Sequence, residues 1–193
     1  MHPDALQEPL PPWRPLLRAA REREGRAPAT RWLQLATLAT DGTPRVRTLV
    51  FRGWAAAAQL DLLTDARSDK CDEVRHQPDV ELCWLLPRAR SQFRLRGAVL
   101  TLPPELQQSE LVRHWQQLTP EGRALWAWPP PGAALEREAV FAAEVTDDAA
   151  IPASFALLRM AIDQVELLEL VGCPHRRRRW RADQQWQEQE LNP

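Results

Sequence analysis

The sequence predicts a mainly β fold with accessory α-helices: an antiparallel barrel with helices at its ends. Three observations carry that expectation. Short runs alternating apolar and polar residues follow one another between residues 32 and 102, and strand-like runs return after residue 154. Asp41-Gly42, a strong hairpin signal, joins the first two runs. The few helical patterns fall between groups of strands rather than after each one, which argues against alternating βαβ units.

Taken in order, residues 1–12 are proline-rich and are expected to form an N-terminal arm, followed by a single domain over 13–193. Trp13, Leu16, Leu17 and Ala20 recur at i, i+3, i+4 and i+7, opposite Arg14, Arg18, Arg21 and Glu22, so an amphipathic helix should end near Gly25. Strands are expected at 32–38, 45–52 and 59–64. A short helix over 68–77 should follow, with Asp69, Asp72 and Glu73 in its first turns and Arg75 and His76 near its end, the order a helix dipole favours. Two further strands are expected at 80–86 and 92–102. In the second, Phe93, Leu95 and Val99 alternate with Arg94 and Arg96. Residues 104–127 switch to helical spacing until Trp128-Pro-Pro-Pro-Gly132 ends it. Residues 133–152 carry little pattern. Strands at 155–160, 165–171 and 176–181, with a further one at 186–191, should close the fold.

Composition bounds the function. With 193 residues, 44% hydrophobic and 26% charged, the chain can bury a real core and is not of the disordered class. A net charge of -1 gives no general pull toward nucleic acid or anionic membrane. No apolar run approaches the roughly 20 residues that span a bilayer. The first residues lack the basic start and apolar stretch of a secretory signal. Three widely spaced cysteines fit reduced thiols in a cytoplasmic protein better than a disulfide frame or a zinc site, so no metal is expected. Of the 25 basic residues one is lysine, Lys70, and the other 24 are arginine, so arginine abundance alone says little.

Three segments combine chemistry. Arg45-Val-Arg-Thr-Leu-Val-Phe-Arg52 places arginines along a strand. Leu63-Thr-Asp-Ala-Arg-Ser-Asp-Lys70 runs from a strand end into a helix start, and Arg90-Ser-Gln-Phe-Arg-Leu-Arg-Gly97 has polar groups at one edge. A helix start presents backbone N–H groups and a positive dipole end to a phosphate. Thr64 and Ser68 add hydroxyls, Lys70 a compact charge, and Arg47 a bidentate fork. The strand edge at Arg47–Val50 suits a flat heterocycle with an imide edge, and the Gln92 amide can donate and accept.

These segments, in this order, resemble the pyridoxamine 5′-phosphate oxidase superfamily, and its oxidase-related branch more closely than the true oxidase. Further supporting phrases are Gln34-Leu-Ala-Thr37, Glu81-Leu-Cys-Trp84, Trp115-Gln-Gln-Leu-Thr119, Trp128-Pro-Pro-Pro-Gly132 and the ending Leu191-Asn-Pro193. The resemblance spans 13–193, with almost none of it in 133–153. It implies an antiparallel, six- to seven-stranded FMN-binding split barrel with flanking helices, FMN as cofactor, a small-molecule substrate, and a homodimer with the flavin site between subunits. It places Arg47 and Lys70 on the FMN phosphate with Ser68 nearby, Thr48, Leu49, Val50, Leu63 and Thr64 along the flavin, and Gln92 in contact with it. Arg52 falls where the oxidase has a lysine touching substrate and flavin.

The departures bear on substrate. Asp69 replaces a basic residue beside the phosphate-binding lysine, with Arg67 as a candidate compensation. His114 and Leu118 stand where the oxidase holds its substrate's phosphate, with Arg123 as a loose replacement. Leu168 stands for a tryptophan near the flavin. The late Arg-x-His pair becomes His175-Arg176-Arg177-Arg178-Arg179, from which Arg176 and His175 are the candidate substrate contacts. The expectation is an FMN-dependent oxidoreductase that does not take pyridoxamine phosphate. A flavin-binding module without turnover and a nucleic-acid binder using the 176–179 run are the other readings. For that run, a solvated edge or pairing with a partner subunit's acids is the plainer account. No Ser-His-Asp, Cys-His or paired-carboxylate set supports hydrolysis, and no catalytic acid or base is assigned. Of the nine tryptophans, Trp126 and Trp128 are expected nearest a cleft, and the others pack in the core or a dimer contact.

Overall fold

The computed structural model describes residues 9–193, so most of the expected 1–12 arm lies outside the described residues. Eight strands form one sheet: β1 (Trp32–Leu38), β2 (Pro44–Ala56), β3 (Gln59–Asp65), β4 (Asp79–Leu86), β5 (Ser91–Val99), β6 (Phe155–Glu169), β7 (Arg176–Arg181) and β8 (Gln189–Leu191). The order is β3-β2-β1-β4-β5-β6, and β6 pairs back onto β3, which closes a six-stranded antiparallel barrel. β7 and β8 extend the sheet from β6. The expected six to seven strands thus describe the barrel, with two short strands added beside it.

The hairpin between β1 and β2 turns where the dipeptide requires it. Gly42 has φ +79, a left-handed conformation that glycine adopts without a Cβ penalty, and Thr43 N–H donates to Asp41 Oδ1 at 2.9 Å. Inside the barrel, Leu33, Leu35, Leu60, Leu82, Trp84, Phe93, Leu95 and Val165 are fully buried. Each such side chain contributes roughly 2 kcal/mol by leaving water. Helix α1 (Trp13–Glu24) adds Trp13, Leu17 and Ala20 to the same core. A second cluster of Leu63, Trp115, Trp126 and Phe155 lies on the opposite face of β3, where α3 (Pro104–Gln116) and α4 (Pro120–Ala124) cover it.

Several expected boundaries shift for physical reasons. The helical stretch 104–127 is two helices, because Pro120 starts α4 and Thr119 Oγ1 accepts from Gly122 N–H at its entry. The strands expected at 155–160 and 165–171 are one continuous β6. It pairs with β3 through Ala161 and with β5 from Met160 onward, and Asp163 is an extra residue opposite the Arg96–Gly97 step. That bulge shifts the alternation by one position, which is why the pattern looks broken. β2 runs on to Ala56, β5 stops at Val99, and only Gln189–Leu191 of the expected last strand pairs. Residues 133–152 contain no helix or strand. Cys71 is buried, Cys83 half-buried and Cys173 exposed; all three are free thiols.

Asp61, on the outer face of β3, anchors a buried ion-pair network. Arg159 Nε and Nη2 donate to its two oxygens at 2.8 and 2.9 Å, and His114 Nε2–H donates to Oδ2 at 2.8 Å. Glu110 accepts from Arg113 at 2.6 Å and also from Arg159. Asp61, Glu110 and His114 bring three metal-ligating atoms within 4.8 Å of one another, but both carboxylates are already bonded to arginines. The network ties α3 to the barrel.

Candidate functional site

The short helix α2 (Asp69–His76) begins one turn after β3 ends, and its start collects the expected phosphate ligands. Ser68 holds the N-cap position in extended conformation, but its hydroxyl does not cap the helix. It donates to Asp65 O at 2.6 Å and accepts from Lys70 Nζ at 2.8 Å. Thr64 Oγ1 stands 3.5 Å from Ser68 Oγ. Trp126 braces this strand end: its Nε1–H donates to Thr64 O at 2.9 Å. Trp126 is therefore buried rather than lining a cleft, whereas Trp128 is partly exposed.

Arg47 reaches the same place from β2. It pairs with Leu35 across the hairpin, so both side chains share the inner face near the barrel end. Its guanidinium is held by two groups that sequence reasoning missed. Nη2 donates to Glu73 Oε2 at 2.6 Å, Nη1 donates to Thr37 Oγ1, and Thr37 Oγ1 donates to Glu73 at 2.5 Å. Lys70 and Glu73 lie three residues apart on α2, a spacing that puts them on one helix face, and this was the available signal for Glu73. The guanidinium has five N–H donors, so the fork is fixed while part of it stays free to bind an anion.

Electrostatics mark the spot. Burial is the main cause that lowers the Lys70 ammonium from its ordinary value, and Arg47 adds repulsion. Burial pulls the Glu73 carboxyl upward, but hydrogen bonds from Thr37 and Arg47 outweigh it and hold the carboxyl below the usual range. Two cations and two hydroxyls therefore converge at a helix start, a donor set that matches a phosphomonoester. Asp69 is exposed. Arg67, the candidate compensation, is engaged with Asp65 at 2.6 Å and with Trp128 O at 2.9 Å.

The other expected residues lie apart from this corner. Thr48, exposed, and Val50, half-buried, share the outer face of β2, Leu49 packs toward the core, and Leu63 joins the second cluster. Arg52 is the extra residue of a β-bulge, since Phe51 pairs with Leu62 and Gly53 with Asp61. Bulges re-aim side chains. Burial, with Arg31 nearby, lowers the Arg52 guanidinium, and its Nε is buried without a partner among the described residues. Gln92 pairs with Leu85 and Leu168, three strands away from β2 at the level of Trp32 and Val50, roughly 14 Å around the sheet. His175 and Arg176 are exposed beside the far end of β6, where Arg176 faces Glu169 in the ladder and bonds Glu190 at 3.0 Å. One chain therefore brings Arg47, Thr64, Ser68 and Lys70 together and leaves Gln92, His175 and Arg176 elsewhere.

Within the chain, the arginine run is already paired. Arg177 meets Glu166 at 2.6 Å, Arg178 meets Glu169 at 2.8 Å, and Arg179 donates to Gln189 at 2.8 Å. Arg123 is also consumed, by Trp115 O and Asp147, and His114 by Asp61. The positions expected to replace a substrate-phosphate clamp on α3 and α4 are structural here.

Comparison with known proteins agrees with this fold. Residues 10–103, from the approach to α1 through β5, match the model of the pyridoxamine 5′-phosphate oxidase FMN-binding domain. A pyridoxamine 5′-phosphate oxidase-related, FMN-binding protein of Nostoc punctiforme is 35% identical. Its structure superposes with a TM-score of 0.85, over 96% of this chain and 100% of that one. Pyridoxine/pyridoxamine 5′-phosphate oxidase 2 of Arabidopsis thaliana is 28% identical over 165 residues, 82% of this chain and 83% of the relative. PhzG of Burkholderia lata, solved with tetrahydrophenazine-1-carboxylic acid, shares the fold at a TM-score of 0.77 and 19% identity, over 100% of this chain and 98% of that one.

A closed six-stranded antiparallel barrel that superposes over nearly its whole length on an FMN-binding relative defines a flavin-binding split barrel. This chain belongs to the pyridoxamine 5′-phosphate oxidase-related family of FMN-binding proteins, and FMN is its cofactor. Among the described residues, no helix is long and apolar enough to cross a membrane.

Proposed function

We propose that the protein is an FMN-dependent oxidoreductase of the cytoplasm acting on a small anionic molecule, and that it works as a homodimer. The observation that carries this reading is the convergence of Arg47, Lys70, Ser68 and Thr64 at the start of α2. Arg47 and Lys70 would hold the FMN phosphate, the β2 edge at Thr48, Leu49 and Val50 would line the ring, and Leu63 would close the strand end beside it. When bound, the flavin supplies hydride or electron transfer at its ring system. The chain itself contributes binding, orientation and exclusion of water. Arg52, re-aimed by its bulge and carrying an unpartnered Nε, is the substrate-side cation.

The dimer reading rests on two features. Gln92, His175 and Arg176 lie away from the phosphate corner of their own chain, so a second copy would have to bring them to it. The outer face of β1 and β4 exposes Trp32 (52%) and Leu85 (48%) at one level, with Val46 (67%) of β2 farther along the same face, an apolar surface suited to a second copy.

Anaerobic reduction of the FMN-loaded protein with a panel of donors, including NAD(P)H and pyridoxamine phosphate, tests the activity. Bleaching of the flavin by at least one donor, with turnover in an electron acceptor, is expected. Bound flavin that no donor reduces would favour a binding module without turnover.

A further inference from the structure

A second basic site lies on α1, on the far side of the core from the α2 corner. Arg14, Arg18 and Arg21 occur at i, i+4 and i+7 and share one helix face. Together with Leu10, Leu17 and Trp54 they line a cavity of about 400 Å³.

Two of these guanidiniums are fixed by one edge and leave the other open. Arg14 lies over the Trp54 ring at 3.5 Å and donates through Nη1 to Ala57 O at 2.5 Å, and nothing among the described residues pairs with its Nη2. Arg21 lies over Phe51 at 4.7 Å and donates through Nε to Thr30 O at 2.9 Å, with both Nη groups unpaired among the described residues. No described carboxylate forms an ion pair with either. Glu22 contacts only Arg18, at 3.6 Å, and Glu24 is turned away to accept from Ala89 N–H. Burial, then Arg21, lowers Arg14 to about 10, and burial, then Arg31, lowers Arg21. A fixed fork with a free edge, repelled by its neighbours and beside an indole, is a preorganised oxyanion receptor.

We propose that this cavity binds a small oxyanion carried on an apolar body, a phosphate or carboxylate gripped by Arg14 and Arg21 while its organic part packs against Trp54 and Leu17. The site is separate from the flavin and stands whatever reaction the flavin performs. Arg18, whose side chain is 79% exposed and pairs only with the exposed Glu22, sits at the mouth and adds long-range attraction.

Calorimetric titration of the FMN-loaded protein with phenyl phosphate, benzoate and inorganic phosphate tests it. One organic anion should bind per chain, and comparison of phenyl phosphate with benzoate identifies the preferred oxyanion. Inorganic phosphate should bind roughly tenfold more weakly than the better organic probe, because it lacks the apolar body. Arg21→Gln should abolish binding. Arg18→Glu, which touches no core residue and gives up only the exposed pair with Glu22, should weaken it roughly fivefold with unchanged flavin content. Absence of binding up to about 10 mM would overturn the proposal, as would affinity indifferent to Arg18→Glu. Equal binding of inorganic phosphate would also refute it, and release of flavin during the titration would place the anion in the flavin site instead.

Discussion

Arg47 and Glu73, 26 positions apart in sequence, meet at 2.6 Å inside the end of the barrel, with Thr37 bonded to both. The contact aims the guanidinium toward Lys70 and Ser68. Glu73→Ala should therefore weaken FMN binding roughly tenfold through loss of a charge-assisted hydrogen bond of about 1.5–3 kcal/mol. Glu73→Gln, which retains an acceptor, should cost less. Quenching of free-flavin fluorescence on titration with apoprotein measures both. Equal affinity in Glu73→Ala and wild type would show that Arg47 needs no such anchor.

The Asp61 network makes stability depend on acid. Burial raises the Asp61 carboxyl, but hydrogen bonds from His114 and Arg159 more than offset this and lower it from 3.8 to about 2. A carboxyl depressed in the folded state stabilises fully above its ordinary value, and the contribution is lost as pH falls from about 4 toward 2. It is worth about 2 kcal/mol. Asp61→Asn should cost about 3 kcal/mol at pH 7, because the buried Arg159 then keeps only Glu110 as counter-charge. Urea unfolding at pH 7 and pH 3 should show the wild type converging toward the variant on acidification. A constant gap would remove Asp61 as the titrating group.

Gly97 is fixed by a close approach rather than by its dihedral angles. A Cβ there would stand 1.9 Å from Ala161 O, a backbone atom of β6 that cannot swing aside. Gly97→Ala should destabilise the fold by about 3 kcal/mol, the upper range for overpacking, by parting β5 from β6 at the bulge. A thermal midpoint within a degree or two of wild type would contradict this. By contrast, substitution at Gly42 acts through its φ of +79, with open space around it.

The dimer proposal predicts a particle of twice the 22.1 kDa chain mass by light scattering. Leu85→Glu, placing a charge on the exposed apolar face, should yield monomer with weakened flavin binding. A wild-type monomer that binds FMN fully would end the idea that a second copy completes the site.

Much of this architecture was legible in the residues. β1 and β4 announce themselves because they alternate between turn signals, β2 by its hairpin signal, and α1 because its apolar positions keep helical spacing through Ala20. β6 was legible only in halves, since the bulge at Asp163 breaks its period. Lys70 stood out as the one lysine, and its motif placed Arg47 and Ser68 beside it. Beyond the spacing of Glu73 from Lys70, nothing marked Glu73 as an Arg47 partner, because a contact over 26 residues leaves no local pattern. The pairing of Arg176–Arg179 with acids of β6 and β8 was hidden in the same way: the charges are visible in sequence, but their opposition depends on register. The Arg52 bulge likewise arises from β2 meeting β3 with one residue too many.

The central claim is that Arg47 and Lys70 hold the FMN phosphate, and the affinity of the double variant Arg47→Ala with Lys70→Ala measures it most directly. Each substitution removes a charged hydrogen bond of about 1.5–3 kcal/mol, so the pair should weaken FMN binding on the order of a hundredfold or more and yield colourless protein that remains folded. Riboflavin, which lacks the phosphate, should bind wild type and double variant alike. A double variant that purifies yellow with wild-type affinity for FMN would show that the phosphate sits elsewhere.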